Sequence, residues 1–270
     1  MPITIMTPRV FAWGFVVVLL GAIGFSGYKL YEYYAAADFT MISPEMERKL
    51  GDALYEQMKT SEVIVTDSAV HAGVMKILER LDDDMTVQGN PVVLHIHDSR
   101  ELNAFALPGG HVVVNTEMIR FCNAPEELAG VLAHELGHVE HRHGVNRLIQ
   151  QFGVTIILAI ATGTESSALQ DAAMSLINNY FSREDESQAD EFAIQHLVDS
   201  GIDPMCMSTV FTRMAEHSGD MNGMMNFLST HPELSKRAAG ASAFPKPPNF
   251  VAIPFDMNWA DVQGRVTKSQ

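Results

Sequence analysis

A chain of 270 residues, 47% of them hydrophobic, is long enough for one domain of ordinary size plus appendages and can bury a sizeable core. Eighteen Lys+Arg against 33 Asp+Glu leave a formal charge of −15, and no basic run offers a track for phosphates, so nucleic acid is not an expected partner. The two cysteines, Cys122 and Cys206, are too few for a disulfide scaffold and lack metal-ligand spacing; two buried free thiols are expected.

Between Arg9 and Lys29 lie nineteen uncharged residues, VFAWGFVVVLLGAIGFSGY. As a helix they would rise roughly 28 Å, the depth of a bilayer core, and residues 1–38 read as an uncleaved membrane anchor with a short juxtamembrane stretch. Arg9 and the free amine precede the span, whereas Glu32 and Asp38 follow it. That bias predicts a cytoplasmic N-terminus and a single-pass protein whose remaining chain faces the periplasm or an equivalent space. Tyr28, Tyr31, Tyr33 and Tyr34 would sit at the far headgroup layer.

Residues 39–245 read as the main domain. Ser43 and Pro44 form a plausible cap and first helical position, and DSAVHAGVMKILERL repeats apolar residues at three and four, so two helices precede the first strands. PVVLHIHD and AFALPGGHVVVN are rich in β-formers, and Pro108-Gly109-Gly110 divides the second into two arms. His95 and His97 share one strand face, read as half exposed. A long helix should be capped at Asn123, carry Pro125, Glu126 and Glu127 in its first turn and stop at Gly144. The uncharged run over 148–164 reads as a core or partner-facing helix, with contact with the bilayer surface as the alternative. A further helix starts after Ser182 and ends at Gly201, and the methionines from Met205 to Met225 read as packing. The Pro-rich tail, 246–270, is expected to wrap the domain in extended form.

In VLAHELGHVEHRHG, four histidines fall within ten positions. On a helix turning about 100° per residue, His134 and His138 project about 40° apart and one turn apart in height, so both imidazoles can reach one ion. Glu135 falls near enough to serve as base toward a water activated by that ion without itself being a ligand. This H-E-x-x-H arrangement suits zinc, which with three protein ligands keeps a fourth position for water and polarises a carbonyl. His141 shares the face but lies two turns from His134, and His143 projects about 180° away at the expected helix end. For the third ligand SREDESQAD offers Glu186 and Asp190, four apart on one face; one can bind the ion and the other orient a histidine, and spacing leaves the assignment open.

HELGH at 134 to 138, SREDESQAD at 182 to 190 and STHPELSKR at 229 to 237 together resemble the HtpX-like and CAAX-prenyl-protease-like family of zinc metallopeptidases, over roughly residues 40 to 240. The resemblance implies a mainly helical α+β, zincin-like fold with a small sheet, one Zn2+ per chain, and polypeptide substrates. It implies Glu186 as third ligand beside His134 and His138, with Asp190 behind them. The pattern T-H-P-x-x-x-x-R falls on Thr230, His231, Pro232 and Arg237. It implies that His231 lies beside the metal, either stabilising an oxyanion or occupying the open position in a latent state. Asn103, Ala104, Phe105, Pro108, Gly109 and Gly110 resemble the family's edge strand, to which an extended substrate adds. The multi-span cage of the prenyl proteases is absent. The resulting expectation is a membrane-anchored zinc endopeptidase of protein quality control, with a zinc-binding chaperone of little proteolytic activity as the rival reading.

Overall fold

The computed structural model describes residues 42–60, 62–153, 156, 167–178, 180–217, 227 and 230–268 and, near the start, 19–22, 24–26 and 28–29. The chain divides into two compact units, Met1–Ile42 and Ser43–Gln270. In the first, residues 19–22, 24–26 and 28–29 are helical and exposed, and Ile42 is a half-buried bend. The expected span over residues 10–28 lies largely outside them, and among the described residues no helix is long and apolar enough to cross a membrane.

The second unit is a mainly helical α+β domain. Helix α1, Pro44–Lys59, starts where Ser43 Oγ accepts the Met46 N–H at 3.2 Å, with Pro44 in its first turn. Helix α2, Ser68–Leu81, is capped by Asp67, whose carboxylate accepts two backbone N–H groups. A short ribbon, β1 (Thr86–Val87) and β2 (Asn90–Pro91), follows. Then come β3 (Val93–His97), β4 (Ala104–Leu107) and β5 (His111–Asn115), in spatial order β3-β5-β4. β5 runs parallel to β3 and antiparallel to β4, and is buried along its whole length. Pro108-Gly109-Gly110 makes the bend expected between β4 and β5. Gly109 has φ 75°, and a Cβ there would lie 2.5 Å from Arg48 Cα, so only glycine lets α1 close on the turn.

The histidine face of β3, expected to be half exposed, runs from the exposed Val93 through the half-buried His95 to the buried His97, and α1 lies over its histidine end. Tyr55 stacks on His95 at 3.6 Å and its hydroxyl lies 3.3 Å from His97 Nε2. His95 Nε2 meets His111 Nδ1 at 2.9 Å, and His111 Nε2 meets Asp52 Oδ1 at 3.1 Å.

Helix α3 (Thr116–Phe121) leads to α4, Pro125–Glu140, which is buried except at Glu126 and Glu140. Two expectations for α4 are corrected. The cap position is Ala124, not Asn123; the Glu127 carboxylate, held by Arg213, accepts the Asn123 N–H at 2.7 Å. The helix also ends four residues before Gly144. Arg142 adopts a left-handed conformation, φ 55°, and sends its guanidinium to the buried Glu47 carboxylate at 2.8 Å. A new helix, α5 (His143–Phe152), starts at once. The run over 148–164 is therefore divided: Leu148, Ile149 and Ile156 are core, and 154–155 and 157–164 lie outside the described residues.

Helix α6 (Ser167–Asn178) precedes α7, Arg183–Asp199, whose capping box joins Ser182 and Asp185 as expected. Gly201, φ 66°, follows its end. Helices α8 (Met205–His217) and α9 (Leu234–Ala243) complete the layer behind α4. Met207 and Met214 are core, as read, but Met205, at the first turn of α8, is exposed and does not pack; Met221, Met224 and Met225 lie outside the described residues. Both cysteines are free, Cys122 fully buried and Cys206 partly.

The tail is extended only as far as Asn258. Trp259–Lys268 form helix α10, which the prolines of the preceding stretch masked in the sequence. Trp259, Val262 and Val266 follow helical spacing and are buried, Val262 against Gly73 of α2. At about 1.5–3 kcal/mol per buried side chain, the three make this segment part of the core. Arg80 ties the extended portion down through the carbonyls of Gly201 and Ile253.

The histidines under α1 make stability pH-dependent. Burial, reinforced by His111, His97, His71 and Lys59, lowers His95 to about 3, and burial lowers His97 and His111 as well. The folded state favours the neutral rings, so this contribution is complete above about pH 6.5 and is lost as pH falls toward 3. The thermal midpoint is expected to drop over that window and to drop less steeply in His95→Asn; parallel profiles would refute the assignment.

Candidate metal centre

Two helices and a loop build the site. α4 supplies His134, Glu135 and His138, and α7 supplies Glu186 and Asp190. His231 precedes α9, which supplies Arg237. The helices meet where Gly137 faces Ala189. A Cβ at 137 would come within 2.9 Å of Ala189 Cα and its carbonyl oxygen, so the backbones touch because the HELGH segment has no side chain there. Glu186 and Asp190, on either side of Ala189, are thereby brought to the two histidines.

His134, His138, Glu186 and His231 are all buried and each offers a donor atom to one point, the atoms lying within 4.8 Å of one another. His138 Nε2 is 3.0 Å from His134 Nε2 and 3.5 Å from Glu186 Oε1. His231 Nδ1 is 3.2 Å from His134 Nε2 and 3.0 Å from Glu186 Oε1. A tetrahedral ion with bonds of about 2.0–2.1 Å spaces its donors about 3.3 Å apart, so the set fits. The protons also argue for an ion. His134 turns Nδ1 to Asp190 Oδ1 at 3.0 Å, and His138 turns Nδ1 to His143 Nδ1 at 2.9 Å. With both Nδ1 positions donating, two Nε2 lone pairs and a carboxylate oxygen face one another, an arrangement that a cation relieves.

Arg237 balances the charge. It grips Asp190 with two bonds of 2.8 and 2.7 Å, lies against Glu186, and sits 3.1 Å from both ring nitrogens of His134, flat on the ring rather than along one lone pair. Burial would raise the Glu186 carboxyl, but His231, His138 and His134 outweigh it and hold the group well below the carboxylate range. Burial and the Arg237 charge lower His134 to about 4, and burial lowers His138 well below the usual imidazole range too. Each imidazole is backed by an aromatic ring: Phe181 stacks on His138 at 3.9 Å, Phe227 on His231 at 4.4 Å, and Phe211 meets His134 edge-on.

Glu135 Oε2 accepts the Ala106 N–H of β4 at 3.1 Å. Its Oε1 is buried without a hydrogen-bond partner, 3.5 Å from His231 Nε2. Burial pushes this carboxyl up to about 7, a value suited to taking and returning a proton near neutral pH. β4 is an edge strand: Asn103 and its ladder partners face β5, and Ala104 and Ala106 point their main-chain groups the other way. Ala104 and Phe105 lie on this strand, whereas Gly109 and Gly110 form the turn, packed on Arg48 and Pro91.

The expected site residues His134, Glu135, His138, Glu186, Asp190, His231 and Arg237 thus converge. His143 was set aside by helical projection, which assumed an unbroken helix to Gly144; the left-handed Arg142 turns it back onto His138. Phe181 carried no signal in the sequence. His141 is exposed, stacked on His143, and takes no part in the donor set.

The sequence profile of Peptidase family M48 matches residues 68–244. The chain is 29% identical over 215 residues to a beta-barrel assembly-enhancing protease of Yersinia pestis, covering 74% of this chain and 44% of that one. The Escherichia coli (strain K12) protease of the same name is 27% identical over the same shares. The mitochondrial metalloendopeptidase OMA1 of Schizosaccharomyces pombe is 27% identical over 207 residues, 74% of this chain and 61% of that one. The chain thus spans about half the length of these relatives. With the profile matched over well more than half of its residues and a buried His-His-Glu-His donor set at the motif, the chain belongs to peptidase family M48.

Proposed function

We propose that this chain is a zinc endopeptidase, anchored in the inner membrane through residues 1–38 with its catalytic unit on the periplasmic or an equivalent side, that cleaves misfolded or membrane-associated proteins. The carrying observation is the donor set itself: His134, His138 and Glu186 at tetrahedral spacing, beside a buried glutamate with one oxygen unpartnered. Zinc bound there would polarise the scissile carbonyl and acidify the attacking water. Glu135 takes the proton of that water on Oε1 and returns it to the leaving amine, while the Ala106 N–H holds Oε2 and fixes the orientation. Asp190 and Arg237 keep His134 in the tautomer that presents Nε2. An extended polypeptide adds beside β4 at Phe105 and Ala106, the half-buried part of the strand, through the Ala106 carbonyl, which implies little sequence selectivity. Two relatives are named for beta-barrel assembly and one for mitochondria, which supports membrane-associated clients and an extracytoplasmic site.

A second reading has an observation in its favour. His231 Nδ1 stands within the donor set as a fourth candidate ligand, which supports a self-blocked enzyme or a zinc-binding chaperone that seldom cleaves.

Glu135→Gln is expected to lower cleavage of an unfolded protein such as casein by about 10²–10⁴-fold with zinc retained, because only the base is lost. Unchanged cleavage would refute the mechanism. Glu186→Ala is expected to purify with much less than one zinc per chain; full occupancy by elemental analysis would remove Glu186 from the ligand set. His231→Ala separates the two readings, since a rise in casein cleavage supports a blocked resting state and a fall of about 10²-fold supports an oxyanion partner.

A further inference from the structure

His138 and His134 are supported from behind in different ways. His134 Nδ1 faces the Asp190 carboxylate directly. His138 Nδ1 faces another imidazole, that of the buried His143, at 2.9 Å. His143 Nε2 in turn lies 3.1 Å from Gln188 Oε1, and Gln188 Nε2 lies 3.1 Å from Glu184 Oε1. Asp185 Oδ1 stands 3.5 Å from the same His143 Nε2, a second acceptor on that side.

The hydrogen-bond chemistry of these groups allows one direction along the chain. The Glu184 carboxylate only accepts, so the Gln188 amide points its NH2 outward and its oxygen inward. That oxygen only accepts, so His143 carries its proton on Nε2 and leaves Nδ1 as a lone pair. The lone pair requires a proton on His138 Nδ1, which leaves His138 Nε2 bare toward Glu186 and His134. We propose that His143 is a positioning residue for His138, and that the relay His138–His143–Gln188–Glu184 sets from the protein surface the tautomer in which His138 binds zinc. The inference rests on the reading of His138 as a ligand.

The left-handed Arg142 makes the relay possible. An unbroken helix would put His143 on the far side of α4 from His134; the turn at Arg142, held by Glu47, places it within 2.9 Å of His138. Phe181 closes the remaining side, its ring 3.9 Å from that of His138 and 6.1 Å from that of His143. A relay through a neutral imidazole has a consequence that a carboxylate would not have. It fixes the ring without adding a negative charge, so only one of the two histidines bears a full carboxylate behind it.

The test is zinc affinity of the purified full chain, by competition with a chromophoric chelator, alongside circular dichroism. His143→Ala is expected to weaken zinc binding by about 10–100-fold without changing the stoichiometry. His143→Asn, whose side-chain oxygen can stand where Nδ1 stood, is expected to recover most of the loss. A role in packing alone would not give that recovery, because Asn fills the ring's volume no better than other small residues do. Gln188→Ala, at a half-buried position, is expected to weaken binding between about twofold and tenfold, the worth of one hydrogen bond, and it decides the question if both His143 variants fail to fold. Unchanged affinity in His143→Ala, or equal loss in His143→Ala and His143→Asn, would overturn the relay while leaving the metal site intact. If His138→Ala kept wild-type zinc affinity, the ligand assignment beneath it would fail instead.

Discussion

The contact on which the site depends is the close approach of α4 and α7 at Gly137 and Ala189. A single methyl group at position 137 would meet backbone atoms of α7 at 2.9 Å, so any side chain there would push the helices apart. Glu186 lies one turn before Ala189 and Asp190 directly after it. The separation of the two helices therefore sets the distance from the Glu186 carboxylate to both Nε2 atoms and from Asp190 to the Nδ1 of His134. A motif that reads as two histidines and a glutamate contains, at its fourth position, the residue that admits the third donor.

Such closeness concentrates charge in a buried place. Glu135, Glu186 and Asp190 share the interior with the guanidinium of Arg237, and burying carboxylates singly would be prohibitive. The solution is division of roles. Arg237 grips Asp190 and leans on Glu186, and the surrounding imidazoles, His134 on Asp190 and His231 foremost on Glu186, hold both carboxyls down, while Glu135 is left with one backbone donor and one unpartnered oxygen. The carboxyl that must move a proton is the one whose ionised form is least supported, and burial raises it accordingly.

The surroundings hold this arrangement at three points. α1 clamps the turn between β4 and β5 through Gly109, which fixes the strand whose Ala106 N–H holds Glu135. Arg142, anchored on Glu47, ends α4 and reverses the chain so that His143 reaches His138. Thr230 accepts the Phe181 N–H through its carbonyl, joining the start of α7 to the segment that carries His231. Each tie connects residues far apart in sequence, and each brings a backbone or an imidazole, not another acid, to the reacting groups.

The sequence by itself determined the local features. Periodicity and caps place α1, α2 and α7, and 3.6-residue geometry pairs His134 with His138, because these follow from bonds and spacing within a few residues. The resemblance of three separate motifs added Glu186, Asp190, His231 and Arg237, which spacing had left open. Helical projection failed beyond Glu140, since whether Arg142 turns left-handed depends on Glu47, nearly a hundred residues earlier. The same holds for His95 and His97, covered by a helix whose position no strand pattern encodes, and for α10, whose three buried residues are recognisable only beside α2 and Gly73. What only the tertiary structure decided is which polar groups lose their water and to whom they then donate, because burial is a property of the packed chain and not of any segment within it.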